Sequence, residues 1–474
     1  MDGALPLLFQ AVTYAVLIFF FLVNSFYLLF LILSLGGLIR FRRLNRYVQL
    51  KDIFSNPMTK PISIIAPAFN EEASVLESVR SLLSLEYPLF EVIVVNDGST
   101  DATLETLVRE FDLQLTRRVF RKILDTAPVR GIYASAKDRK LIVVDKANGK
   151  KADALNAGLN VARYPLFCAI DSDSLIERDA LLKVVRPFLD DPERTVGVGG
   201  IIRLSNGCTI RGGQVVRVGL PRNALARFQV IEYLRAFLGG RMGMSMLNCL
   251  LIISGAFGVF RKDLALEIGG YRRDTIGEDM DFVIRLRRHC HERRRPFRIS
   301  FIPDPICWTE APENLRVLAR QRNRWHRGLI ESLVHSLKML FDPRYGATGL
   351  LAMPFYVVFE MLGPLIEVSG YAVFGALLVT GNIDHPFAVR FFLLAVVYGT
   401  LLSLAAVMLE ELSFQRYPRV SDLVVIVVFG ILENFLFRQF LAFVRAKAFV
   451  DLLRGKKDWG RMERKGFSLK GERP

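Results

Sequence analysis

From Leu5 to Leu38 the chain runs through 34 residues without a single charge. A hydrocarbon core needs only about 20 apolar residues to be crossed by a helix, so this stretch is a membrane span before it is anything else. Two further runs, Leu350–Val379 and Phe391–Leu409, meet the same requirement. At 51% hydrophobic and 23% charged, the composition fits a polar body carried by a minority of membrane segments.

The net charge of +16 is concentrated beside the apolar runs, at Arg40, Arg42, Arg43, Arg46 and Lys51 and again from Arg445 to Arg473. This is the positive-inside pattern, and it places the central body and the basic tail in the cytoplasm of a multi-pass protein of the cell (inner) membrane. No zinc-finger or RNP pattern accompanies the charge, so nucleic acid is excluded as a partner. The first run lacks a basic n-region and ends in a stop-transfer cluster, so it reads as an uncleaved span with its N-terminus outside. Cys168, Cys208, Cys249, Cys290 and Cys307 have no CxxC spacing and read as reduced residues.

Between the spans, short apolar runs at Ile62–Ala66, Val92–Val95, Leu141–Val144, Leu166–Ile170 and Val196–Ile202 alternate with amphipathic stretches. That alternation predicts an α/β domain on a mostly parallel sheet, covered on both faces. Ligands of such sheets bind at the carboxyl ends of the strands. Polar clusters stand at those ends: Phe69-Asn70-Glu71-Glu72, Asn96-Asp97-Gly98-Ser99 and Asp171-Ser172-Asp173-Ser174. The organisation expected is a span to residue 40, a basic linker over 41–60 and a catalytic domain over 61–312. Amphipathic interface helices follow over 313–345, then a membrane region over 346–450 and a basic tail over 451–474. Residues 112–139 are irregular and receive no assignment.

Four constellations carry chemistry. Asp171-x-Asp173 offers hard oxygen ligands for Mg²⁺ or Mn²⁺ bound through a diphosphate, with a helix N-cap as the competing explanation. Asp97, beside a glycine turn, can accept the N3 hydrogen of uracil, although a turn-and-cap role also accounts for it. Asp279, in Gly277-Glu278-Asp279 at the start of an apolar-periodic helix, is a candidate general base; capping that helix is its alternative. Gln321, Arg324 and Trp325 share one face of an amphipathic helix and offer an amide, a cation and an aromatic plate. An interfacial helix is rich in Arg and Trp for membrane reasons as well.

These residues, in this order, resemble the processive family-two glycosyltransferases, the group of cellulose, chitin, hyaluronan and poly-N-acetylglucosamine synthases. The matches are Pro67-Ala68-Phe69-Asn70-Glu71, Asp97, Lys150 within Asn148–Asn156, Asp171-x-Asp173, Ser254-Gly255-Ala256, Gly277-Glu278-Asp279 and Gln321-x-x-Arg324-Trp325. The resemblance implies a GT-A fold, with Pro67, Phe69, Glu71 and Asp97 around uracil and Lys150 near the nucleotide. It implies that Asp171 contacts the nucleotide, that Asp173 contacts the metal, and that Asp279 is the base. Glu278, Gln321, Arg324 and Trp325 would hold diphosphate and acceptor. Ser254 stands where cellulose synthases commonly have cysteine, and their FxVTxK gating loop has no counterpart, so the pattern is nearer the poly-N-acetylglucosamine and hyaluronan side.

The function expected is inverting, metal-dependent hexosyl transfer from a UDP-sugar to a growing polysaccharide at the membrane, with membrane lipid around it and an accessory subunit as an open partner. Single transfer to a lipid acceptor is the alternative within enzymology, and a non-catalytic membrane or transport protein is the alternative outside it. Leu423–Val450 contains Glu433, Asn434, Arg438 and Gln439. It is expected to be re-entrant, to lie in the interface, or to line a passage for polymer.

Overall fold

The computed structural model describes residues 4–46, 49–171, 174–381, 385–414, 417 and 419–456. The chain divides into two compact units. Of the described residues, one comprises those within 38–219 and 247–311, and the other those within 4–37, 220–246 and 312–456. Residues 220–246, which the sequence reading sets inside the 61–312 domain, therefore cluster with the apolar helices.

The first unit is built on twelve strands: β1 Ile62–Ala68, β2 Phe90–Asp97, β3 Leu113–Leu115, β4 Val129–Ser135, β5 Leu141–Lys146, β6 Leu166–Ile170, β7 Leu175–Ile176, β8 Thr195–Leu204, β9 Thr209–Arg211, β10 Gln214–Arg217, β11 Phe257–Arg261 and β12 Arg298–Thr309. Ten of them form one sheet, ordered β3-β4-β5-β2-β1-β6-β11-β8-β12-β7, and β9 pairs with β10 in a separate hairpin. All five strands read from the apolar runs are present, each extended by one or more residues or matched in place.

The sheet is mixed rather than mostly parallel. β5, β2, β1 and β6 are parallel, but β4 is antiparallel on β5 and β11 runs antiparallel between β6 and β8. The alternation of strands and helices fixes direction only where a helix crosses over, and β11 returns after a long excursion that sets no such constraint. β2 and β8 are buried along their whole length, as strands covered on both faces must be. Register aligns the polar ends of the parallel strands: Ala68 sits beside Asn96, and Asp97 beside Lys146. The unassigned 112–139 segment contains β3 and β4, which extend the sheet beyond β5.

In the second unit, the part of helix Ala4–Asn45 up to Gly37 packs Val16, Leu17, Phe19, Phe20 and Val23 against Phe387 and Phe391. Among the described residues three helices are long and apolar enough to cross a membrane, within Thr13–Asn45, His385–Glu411 and Val420–Leu453. A bent pair, Thr348–Met361 with Gly363–Val379, makes a fourth if it counts as one span. Val420–Leu453 is broken in the middle, where Phe435 (φ −110°, ψ 122°) and Leu436 (φ 66°, ψ −45°) leave helical geometry. The polar residues at the break are buried and paired: Ser403 Oγ donates to Glu433 Oε1 at 2.7 Å, Arg235 pairs with Glu433, and Asn434 Nδ2 donates to Thr400 Oγ1 at 3.0 Å. Buried polar groups in an apolar helix bundle persist when they find such partners.

Candidate functional site

Two turns at the carboxyl ends of β1 and β2 are stitched together. Asn70, in the left-handed region at φ 54°, donates its N–H to Ser99 Oγ at 3.0 Å, and its side-chain oxygen accepts the Thr100 N–H at 2.8 Å. The Glu71 N–H donates to Thr103 Oγ1 at 2.9 Å, and Glu71 Oε2 accepts from Ser74 Oγ at 2.6 Å. Phe69 is exposed and Pro67 is half-buried.

Asp97 closes β2 and is 3% exposed. Its Oδ1 accepts from Lys146 Nζ at 2.6 Å and from the Gly149 N–H at 3.0 Å. Burial pushes its carboxyl above the ordinary aspartate value, and the Lys146 ammonium works against that shift.

The basic residue that enters the site is Lys151, not Lys150. Lys150 has φ 71° and an exposed side chain at the start of helix Lys150–Val161. The next residue lies about 100° further around the helix, and that turn carries Lys151 inward. Its Nζ lies 2.6 Å from Asp171 Oδ1 and 3.1 Å from Glu278 Oε1. Burial opposes the charge on Lys151, but the Asp171 and Glu278 carboxylates outweigh it and hold the ammonium protonated beyond its usual range. Glu278 is itself 6% exposed, and burial raises its carboxyl despite Lys151.

Asp279 opens helix Glu278–Glu292 and is half-buried. Its Oδ2 accepts the Gly255 N–H at 3.0 Å and its Oδ1 accepts the Met280 N–H at 2.8 Å. A small cavity beside it is lined by Lys151, Ser254, Gly255, Tyr271, Glu278 and Asp279. A Cβ on Gly255 would come within 2.7 Å of Lys151 Nζ, so the glycine leaves room for the ammonium.

Among the described residues no group of three or more His, Cys, Asp or Glu side chains could hold a metal ion. Asp173 lies outside the described residues. Asp171 presents a carboxylate one-third exposed at the end of β6.

Gln321, Arg324 and Trp325 lie on helix Leu315–Val334 of the second unit. Gln321 is 9% exposed and Trp325 44% exposed, so the shared face runs from the interior to the surface. Arg322, absent from the sequence reading, organises that face. It donates to Gln321 Oε1 at 3.2 Å and to Glu232 Oε2 at 2.7 Å, and its guanidinium lies 4.2 Å from the Trp325 ring centroid.

Residues 63–262 match Glycosyl transferase family 2, and residues 166–409, more than half of the chain, match Glycosyl transferase family group 2. The chain belongs to glycosyl transferase family group 2. This glycosyltransferase is 28% identical over 291 residues to a poly-beta-1,6-N-acetyl-D-glucosamine synthase of Staphylococcus epidermidis, covering 61% of the chain and 59% of the relative. It is 27% identical over 274 residues to the Staphylococcus aureus synthase of the same description, covering 58% and 55%. The glycosyltransferase thus spans less than two thirds of the length of the curated relatives it matches. Among solved structures it is similar to a mannosyltransferase from Pyrobaculum calidifontis in complex with GDP-Man and Mn²⁺. That likeness has a TM-score of 0.49 at 18% identity, over 88% of this chain and 99% of the other.

Proposed function

We propose that this glycosyltransferase moves a hexosyl group from a UDP-sugar to a growing polysaccharide, with inversion and without releasing the chain between additions. The observation that carries the reading is how residues 149–151 join two ends of one site. The Gly149 N–H holds Asp97 on the nucleobase side, and the Lys151 side chain meets Asp171 and Glu278 on the sugar side, next to Asp279. Nucleobase, diphosphate and acceptor would be gripped by one short stretch of backbone.

In this reading Pro67, Phe69, Glu71 and Asp97 surround the uracil, and Asp171 with Lys151 faces the diphosphate. Asp171 and Asp173 would hold Mg²⁺ or Mn²⁺, which supplies counter-charge to the departing diphosphate. Asp279 takes the proton from the acceptor hydroxyl as that oxygen attacks the anomeric carbon, and the bond to the UDP oxygen breaks on the opposite face. The product is therefore inverted. The Gly255 and Met280 N–H groups fix the carboxylate, and fixed geometry is a large share of what such a site contributes. Gln321, Arg324 and Trp325 would hold the acceptor and diphosphate. The similarity to poly-beta-1,6-N-acetyl-D-glucosamine synthases favours UDP-N-acetylglucosamine as donor and a polysaccharide over a lipid as acceptor. The basic flanks of the spans support embedding in the cell membrane with the unit of residues 38–219 and 247–311 in the cytoplasm.

The test is purified protein supplied with a panel of UDP-sugars in Mg²⁺, in Mn²⁺ and in excess chelator, with the product sized and its linkage analysed. Long β-linked polymer from one UDP-sugar, lost in chelator, is the expected result. A single-sugar product on lipid would replace the polymerase reading, and full turnover in chelator would remove the metal.

A further inference from the structure

Lys146, the last residue of β5, is fully buried, and its ammonium has three short contacts: Asp97 Oδ1 at 2.6 Å, Asp153 Oδ1 at 2.6 Å and the Ala147 carbonyl at 2.7 Å. An ammonium persists in a protein interior only when it is paired and its donors are used. The two carboxylates depend on it unequally. Asp153, 1% exposed, is also held by Arg273 Nη1 at 3.1 Å and by the Ala127 N–H, and Arg273 continues to Asp125 at 2.9 Å. Asp97 has no second cation among the described residues: its Oδ1 takes only Lys146 and the Gly149 N–H, and its Oδ2 has no partner among them.

We propose that Lys146 sets nucleobase specificity in this enzyme. By occupying Oδ1 and holding Asp97 as a carboxylate, it leaves Oδ2 as an acceptor only, which selects uracil over cytosine. Uracil carries a hydrogen on N3, whereas cytosine presents a lone pair there, and an ionised carboxylate has no hydrogen to offer it. Lys146 touches no substrate in this scheme; it is a positioning residue acting through Asp97. The inference rests on the reading of Asp97 as the nucleobase contact.

Loss of the ammonium reverses the chemistry. Buried without a counter-charge, Asp97 favours its neutral form, and a neutral carboxyl donates as well as accepts. The same pocket then has a hydrogen for N3 of cytosine. Lys146→Met is therefore expected to weaken UDP by roughly tenfold or more, the scale of a lost hydrogen bond to a charged group, while CDP affinity holds or rises. Pyrophosphate, which has no base, should bind the variant as it binds the wild type.

The experiment measures UDP, CDP and pyrophosphate binding to the full-length, detergent-solubilised protein and to Lys146→Met and Asp97→Ala. Collapse of the UDP-over-CDP preference in both variants, with pyrophosphate binding kept, supports the proposal. A preference that survives Asp97→Ala overturns the nucleobase reading beneath it. A preference lost in Asp97→Ala and kept in Lys146→Met overturns the role of Lys146 alone. If Lys146→Met does not fold, the wild type decides. With Lys146 of β5 and Asp153 of helix Lys150–Val161 facing Asp97, the UDP-to-CDP affinity ratio should stay constant from pH 8 to pH 6.5, because the diphosphate titration is common to both ligands and cancels. A ratio falling toward pH 6.5 means that Asp97 titrates despite its ammonium, and the proposal fails.

Discussion

Asp279 offers both oxygens to backbone N–H groups, one from Gly255 and one from its own helix, so its orientation is fixed before any acceptor arrives. Replacing it by asparagine preserves shape but not both bonds, because the amide nitrogen cannot accept. Asp279→Asn should therefore lose about 1 kcal/mol of stability, bind UDP near normally and transfer sugar about 10²-fold more slowly. Binding and transfer measured on the same folded variant decide it, and near-normal transfer would remove Asp279 from the chemistry. Lys151 lends itself to a pH test. Burial raises the Glu278 carboxyl, so its ionisation is harder in the folded state than in the unfolded chain. Stability falls as pH rises through the window above the ordinary glutamate value, where the unfolded chain ionises first. Lys151 limits that loss. In Lys151→Met the window extends upward, and thermal unfolding at pH 5 and pH 8 should show a steeper decline than in the wild type, bounded at about 1.4 kcal/mol per pH unit for this one group. Equal slopes would mean that the Glu278–Lys151 pair is not what sets the charge there.

At the level of elements, the paired turns after β1 and β2 would hold the nucleobase side in the proposed reading, and Gly98 packs closely there. It has φ 68°, and a Cβ there would lie 2.6 Å from the Asn148 backbone nitrogen. Gly98→Ala must move main chain, so it should cost more than about 1 kcal/mol and weaken UDP binding together with the melting temperature. Gly212→Ala, at φ 56° in the β9–β10 hairpin with nothing within 4 Å, carries the backbone strain without the collision. It should lower the melting temperature and leave UDP affinity as it is; equal effects on affinity would place the strain, not the contact, in control. These elements also mark what the sequence could tell. The five apolar runs and the polar clusters at their ends were legible, because buried strands and strand-end turns have local signatures. The inward lysine was not, since Lys150 and Lys151 differ only in where the helix begins. Lys146 reads as an ordinary charge at a strand end until β2 and β5 are placed in register. The antiparallel β11 and the association of residues 220–246 with the apolar helices depend on long-range packing, which no local pattern encodes.

At the scale of the whole molecule, the broken helix Val420–Leu453 bears on how many times the chain crosses the membrane. In the proposed orientation the first span enters from outside and would leave residues 38–219 and 247–311 inside, the bent pair Thr348–Met361 and Gly363–Val379 would lead out, and His385–Glu411 would lead back in. Arg416 and Arg419 follow that return, as positive-inside orientation requires. If Val420–Leu453 then crossed fully, the basic residues of 454–474 would lie outside. The break argues against it. Helix Val420–Leu432 is 13 residues, about 20 Å long, against a hydrocarbon core of about 30 Å, and it ends at Glu433 and Asn434, both buried and paired. The half that follows, Arg438–Leu453, is bonded to the amphipathic helix rather than isolated among apolar neighbours: Asn323 Nδ2 donates to Asp451 Oδ2 at 2.9 Å, and Arg445 Nε to His326 Nδ1 at 3.3 Å. Burial, and then the Arg445 charge, drive the His326 imidazole down to about 3, so this contact is made by a neutral ring that accepts. A segment that dips in, turns at Phe435–Leu436 and returns to an interfacial helix would keep the tail on the inner side, and that is the prediction. Of the five native cysteines, Cys168, Cys249, Cys290 and Cys307 are buried, so Cys208, which is partly exposed, is the internal control. A cysteine placed in 457–474 should therefore resist a membrane-impermeant maleimide in intact cells and react after permeabilisation, while one at His385 should react in both. Labelling of the tail cysteine in intact cells would make Val420–Leu453 a complete span and leave the break at Glu433 as a kink within it.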